Sequence, residues 1–306
     1  VESDDIGHGP AMILKATVLA TADLESRFLS MQTNLPPGTV WIMSTLSDAR
    51  IPVHEFLLVG RSPILRKALC DFRRAYYFSI PDVLAIEYGP DGQCVIRFQE
   101  ADFLTILNLA FFLYTDNVLD VWHQARNSPE NAPRYRQVRS EVMRIAAHLG
   151  LSTLERAARL MTEPAKSLKT DMSSAVDDPL FFGGADVVIQ LNGDSVKAHS
   201  QVLCQRCPFF YAMFHGLSGG RWVSPRRADP SDVVYVDLKH IDRTIFDFVL
   251  RYIYADTEEQ LFDDVRTKDL DDFIDLVIDV AFVANELMID RMAQICQKML
   301  GRFGKL

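Results

Sequence analysis

The chain has 306 residues, 48% of them apolar and 24% charged, with a formal net charge of −9. Compact domains run to roughly 100–200 residues each, so this length predicts two, and the composition excludes a disordered, collagenous or fibrous chain. The acidity weighs against a nucleic-acid-binding surface, which needs clustered Lys and Arg against phosphate, and leaves protein partners open.

Five cysteines, Cys70, Cys94, Cys204, Cys207 and Cys296, are too few and odd in number for a secreted disulfide framework. They predict reduced thiols in cytosol or nucleus. The opening Val1-Glu2-Ser3-Asp4-Asp5 has no initiator Met and no signal-type apolar core, which predicts a piece of a longer protein.

In chain order, Pro10 to Gln32 is largely apolar and helix-compatible. Trp41–Leu46 and Ile51–Val53 read as strands, and His54 follows the second. Ser62-Pro63-Ile-Leu65 marks a helix broken and restarted at proline. Cys94–Phe98 is a later strand. Phe103 to Tyr114 is the most apolar run, but it contains Asn108 and falls far short of the roughly 20 residues that span a bilayer. It predicts a buried helix, and no membrane contact. Thr162 to Ala185 is rich in Ser, Thr, Asp, Pro and Gly without a sustained apolar period, and predicts an inter-domain linker.

The second half opens with the strand Asp186–Leu191, the hairpin signal Asn192-Gly193 and a short Ser195–Lys197. Ala198 to Phe214 predicts two short helices broken at Pro208. A polar loop runs from His215 to Asp232, a strand from Val233 to Asp237 and a helix from Arg243 to Tyr254. A long helix starts near Asp269, with Phe273, Leu276, Val277, Val280, Ala281 and Ala284 at helical spacing. The last helix carries Leu287, Ile289, Met292, Ile295, Cys296 and Met299.

The two halves repeat one order. His199 stands 145 residues after His54, and Pro208 stands 145 after Pro63. Tyr254 stands 140 after Tyr114, and Ala284 stands 138 after Ala146. Offsets that drift this little argue for duplication of one domain, with gaps in loops.

Candidate chemistry is sparse. Cys204-x-x-Cys207 beside His199 is a single pair, where zinc needs four ligands, so the thiols read as small packed groups. His54 and His199 lack a nucleophile and an orienting carboxylate, because Ser200 at i+1 points away. They read as structural groups whose ring nitrogens satisfy backbone at a strand–helix junction. Asp263, Asp264, Asp269, Asp271, Asp272 and Asp275 lack the alternating oxygens, Gly and closing Glu of a calcium loop. Asp269, Asp271 and Asp272 suit a helix N-terminus instead. Arg221, Trp222, Arg226 and Arg227 read as a surface loop, and Gly183-Gly184 and Gly219-Gly220 lack the spacing of a phosphate cradle. No enzyme constellation and no cofactor site emerge.

A strand beginning Asp-Val, a strand leading into Ala-His, then (Ser/Cys)-Pro-Phe-Phe-x-x-Met-Phe and Tyr-Ile-Tyr resembles the BTB/POZ domain. The resemblance implies an α+β fold: two BTB/POZ domains in tandem, each a small sheet flanked by a cluster of helices. Residues 10–161 would be a divergent first copy with an N-terminal helix, 162–185 the linker, and 186–306 the second copy with a helical tail. Val236–His240, Leu250–Asp256, Leu261–Asp264 and Ala284–Arg291 are further similar to the tandem BTB region of inhibitor-of-Bruton-tyrosine-kinase-like proteins, which implies upstream ankyrin and chromosome-condensation-regulator-type repeats. It implies a non-catalytic substrate adaptor of a cullin-3 RING ubiquitin ligase, cytoplasmic or nuclear, that self-associates as a homodimer or by BTB pairing within the chain. Substrates would be recruited by modules outside this fragment. The implied cullin-3 site comprises Phe214, Leu217, Ser218, Gly219, Tyr254 and Asp256, with Leu217 and Tyr254 as exposed anchors. Gly219 stands where adaptor members carry the Glu of a hydrophobic-x-Glu motif. Pro10 to Gln32 would be the dimer-forming first helix. The alternatives are an oligomerisation scaffold and a corepressor-recruiting module; Ser200, where repressor-type members carry Arg or Lys, weighs against the second.

Overall fold

Strands form where β-branched and apolar residues alternate or run together. In the computed structural model, which describes residues 38–90, 92–119, 121–122, 129–215, 233–255 and 257–303, the chain divides into two compact units between Gly183 and Gly184.

In the first unit β1 (Thr39–Ser44) pairs antiparallel with β2 (Arg50–His54) and parallel with β5 (Cys94–Phe98). Two strands absent from the sequence reading, β3 (Phe78–Ile80) and β4 (Leu84–Tyr88), extend the sheet to the order β2-β1-β5-β4-β3. Around it lie α1 (Glu55–Arg61), α2 (Pro63–Ala75), α3 (Phe103–Thr115), α4 (Ala132–Leu149) and α5 (Ser152–Leu160). Ser62 separates α1 from α2: its hydroxyl accepts the Leu65 N–H and Pro63 takes the first helical position. Helix α3 is buried almost all round, so it carries the core of this unit. Its Asn108 amide donates to Leu104 O and accepts the Leu119 N–H, which makes the polar residue tolerable there.

The second unit begins with β6 (Val187–Leu191), the Asn192-Gly193 turn and β7 (Asp194–Ala198). Gly193 has φ 73°, the left-handed backbone that such a turn demands. After α7 (Ser200–Arg206) and α8 (Pro208–His215), β8 (Val234–Asp237) lies parallel to β6, giving the order β7-β6-β8. Helices α9 (Arg243–Ala255), α10 (Leu270–Glu286) and α11 (Asp290–Phe303) complete it. Asp269 caps α10 by accepting the Asp272 N–H, with Asp271 and Asp272 in its first turn. No helix among the described residues is long and apolar enough to cross a membrane.

The segment 162–185 is not the irregular linker expected from its composition. It contains α6 (Leu168–Val176) and a 3-10 turn (Pro179–Gly184), and it buries Met172, Ala175 and Phe181. Arg61, whose side chain is 0% exposed, holds it. Its guanidinium donates to Asp116 and Ser167, to Asp171 at 3.1 Å and to the Phe112 carbonyl at 2.6 Å, and stacks over the Phe112 ring. Arg66 donates to Asp178 at 2.7 Å and to the Val59 carbonyl. Gly60 leaves room for Met172, because a Cβ there would overlap the Met172 Sδ. Two of the acids that make this segment look solvated, Asp171 and Asp178, are the partners of buried arginines.

Removing one partner of a buried ion pair costs about 3–5 kcal/mol. Arg61→Leu is therefore expected to lower the urea unfolding free energy of the first unit by about that much. Hydrogen exchange should rise across 167–181 in the same variant. A variant with unchanged protection there would show that α6 is held otherwise.

Candidate functional site

Each unit joins its hairpin to its helices through one histidine and one tyrosine. His54 ends β2, its backbone N–H donates to the Tyr114 hydroxyl at 2.9 Å, and its Nδ1 lies 2.6 Å from the same oxygen. His199 precedes α7 and meets Tyr254 in the same way, at 2.8 and 2.9 Å. The hydroxyl accepts the backbone N–H and shares one further hydrogen bond with Nδ1, whose direction follows the tautomer of the ring. The rings make no side-chain cap hydrogen bond, contrary to the backbone-satisfying role expected of them. Burial pushes the His54 ring down to about 4 and both tyrosines up.

A second bond ties helix boundaries. In the first unit the Ser62 hydroxyl donates to the Leu149 carbonyl at 2.6 Å. In the second the Cys207 thiol donates to the Leu287 carbonyl at 3.3 Å. Cys207 is thus a structural thiol, and burial pushes it up to about 11. Among the described residues no group of three His, Cys, Asp or Glu could hold a metal ion.

That bond brings the start of α8 to the corner between α10 and α11. Beside it opens a groove of about 390 Å³, lined by Phe209, Ala212 and Met213 of α8, by Asp237 at the end of β8 and Leu238 and His240 after it, and by Glu286 and Met288 at the corner. Its floor is apolar and its rim is charged. His240 Nε2 lies 2.6 Å from Glu286. The Lys239 backbone N–H and ammonium hold the Asp237 carboxyl below its usual range. Met288 has φ 57°, a left-handed backbone that costs a non-glycine residue roughly 1–2 kcal/mol. Its side chain is nevertheless 50% exposed over the groove. At the end of α4, by contrast, Gly150 takes the left-handed place.

The residues expected to form the site fare unevenly. Phe214 is half-buried on α8. Tyr254 is 2% exposed and closed on His199, so it is core, and the exposed anchor role expected of it does not match where its side chain lies. Leu217, Ser218, Gly219 and Asp256 lie outside the described residues, as do Pro10 to Gln32 and the Arg221–Arg227 group. The groove residues Phe209 and Met213 sit inside the Pro-Phe-Phe-x-x-Met-Phe signature. His240, Glu286 and Met288 lie in the Val236–His240 and Ala284–Arg291 stretches that carry the narrower resemblance, but nothing there marked them as a site.

The family profile described as BTB/POZ domain matches residues 183–303, the whole described second unit. Over 254 residues the chain is 27% identical to BTB/POZ domain-containing protein 1 of Schizosaccharomyces pombe, covering 82% of this chain and 18% of that protein. The chain thus spans under a fifth of the length of that relative. Residues 183–303 thus carry a match to the BTB/POZ domain, which indicates a protein-interaction module.

The buried histidine sets a pH dependence. The folded state of the first unit binds fewer protons than the unfolded chain between about pH 4 and the ordinary value of 6.5. Stability therefore rises with pH in that window, is complete above it, and is lost as pH falls through it. Urea unfolding of the wild type should lose up to about 1.4 kcal/mol per pH unit more than His54→Asn between pH 6.5 and 4.5. Equal slopes would mean that the ring is not held neutral.

Proposed function

We propose that the chain is a non-catalytic adaptor in which residues 39–161 form a second, divergent copy of the BTB/POZ domain and the groove of 183–303 docks the amino-terminal domain of cullin-3. The three-strand core β2-β1-β5 matches β7-β6-β8, and the His–Tyr pair and the Ser62 or Cys207 tie recur in both units, which supports the duplication. The observation that carries the docking reading is Met288. Its side chain, half-exposed over an apolar groove, fits an anchor that a docked helix would cover. Helix-in-groove docking needs such anchors with a polar rim, which Asp237, His240 and Glu286 supply.

The matching landmarks in the first unit place Ile64, Lys67, Ala68 and Gly150 where the second has Phe209, Ala212, Met213 and Met288. Lysine and glycine in place of alanine and methionine remove the apolar wall, so docking is assigned to the second unit. The first unit serves in self-association, and substrates come through parts of the protein outside this chain. Cytoplasm or nucleus suits this role and its free thiols.

Calorimetry with the cullin-3 amino-terminal domain tests the reading. Micromolar binding is expected, lost in Ala212→Asp, which puts a charge on an exposed groove position. Met288→Gly should stabilise the fold by about 1 kcal/mol while weakening binding about tenfold. No heat at tens of micromolar wild type would sink the cullin reading.

A further inference from the structure

We infer that the partner element seated in the groove continues as a basic stretch along α10, over Asp275, Asp279 and Glu286, with Phe282 as its apolar contact. The inference rests on the groove being a docking site, and it specifies the chemistry of what docks. Asp275, Asp279, Phe282 and Glu286 fall at i, i+4, i+7 and i+11, so they share one face of the helix. All four are exposed, and Phe282 is 69% exposed. Glu286 belongs both to this row and to the groove wall, so the two surfaces are continuous.

Between Leu270 and Glu286 the helix carries Asp271, Asp272, Asp275, Asp279 and Glu286 and no Lys or Arg. Asp275 and Asp279 face each other one turn apart, a like-charge pair that opposes the helix. Among the described residues neither has a cationic side chain against it. The helix tolerates this repulsion, and an exposed phenylalanine within it, without local relief. A chain of Lys or Arg flanking an apolar residue would relieve both at once. The sign of the row excludes phosphate backbones and anionic lipid surfaces, which it repels. A basic protein segment remains, entering the groove with an apolar side chain and tracking α10 with its charges.

The test uses the whole chain and two synthetic amphipathic helices with the same apolar face, one flanked by lysines and the other by glutamates. The lysine helix should bind at least tenfold more tightly than the glutamate helix. Asp275→Lys/Asp279→Lys should lose that tenfold, and Asp275→Asn/Asp279→Asn part of it. Asp48→Lys/Glu130→Lys, which makes the same change in net charge elsewhere, should bind as the wild type does. Circular dichroism melting checks that each variant is folded. Equal binding of the two helices, or an equal loss in the Asp48/Glu130 variant, would overturn the inference. The cullin-3 amino-terminal domain is titrated in parallel. Cullin binding lost in Ala212→Asp but unchanged in Asp275→Lys/Asp279→Lys would contradict the basic-stretch inference and uphold the groove. Lysine-helix binding without cullin binding would uphold the inference and remove cullin as the partner.

Discussion

The Cys207 thiol reaches the Leu287 carbonyl beside the groove. That bond joins the boundary between α7 and α8 to the corner between α10 and α11, and the two walls meet where it lies. It is weak, since a thiol is a poor donor, but it is buried, and a buried carbonyl without a partner is expensive. The His199–Tyr254 contact sets the other end of the arrangement by fixing where α7 begins against α9. With both in place, α8 has little freedom, and Phe209, Ala212 and Met213 must face the corner that carries Met288.

The first unit uses the same two ties for another end. Ser62 replaces Cys207 and makes a shorter, stronger bond, and the corner residue is a relaxed glycine, Gly150. Its elaboration lies on α1 and α2, where Gly60 admits Met172, Arg61 gathers Asp116 and Asp171, and Arg66 of α2 takes Asp178. Buried ion pairs of this kind add little stability over apolar packing but penalise any alternative that leaves a charge alone. They fix the place of α6. One copy thus sets an exposed methionine at this corner, and the other sets a glycine there and commits its buried charge to holding its own chain.

Much of this was legible in the residues. His54 and His199, Pro63 and Pro208, and Tyr114 and Tyr254 are local requirements of hairpin ends, helix starts and a central helix, and they stand in register whatever surrounds them. The α6 segment was not legible, because its acids look solvated until Arg61, more than a hundred residues earlier, is placed beside them. Strands β3 and β4 have no counterpart among the landmarks common to both halves, and their one trace in the residues is the alternation of Leu84-Ala-Ile-Glu-Tyr88. Tyr254 was misjudged as an exposed anchor, since nothing in a helical aromatic says that its hydroxyl is turned inward to a histidine. Met288 was silent, because a left-handed backbone is a property of the corner; its one trace is the glycine at the matching place in the first half.

The account turns on where a partner sits. Hydrogen exchange of the chain with and without the cullin-3 amino-terminal domain measures that directly. It predicts new protection in α8, in 237–240 and at the 286–288 corner, extending back along α10 to Asp275, with the first unit unchanged. A complex that forms while those three stretches exchange as in the free chain, or one that protects only the first unit, would contradict it.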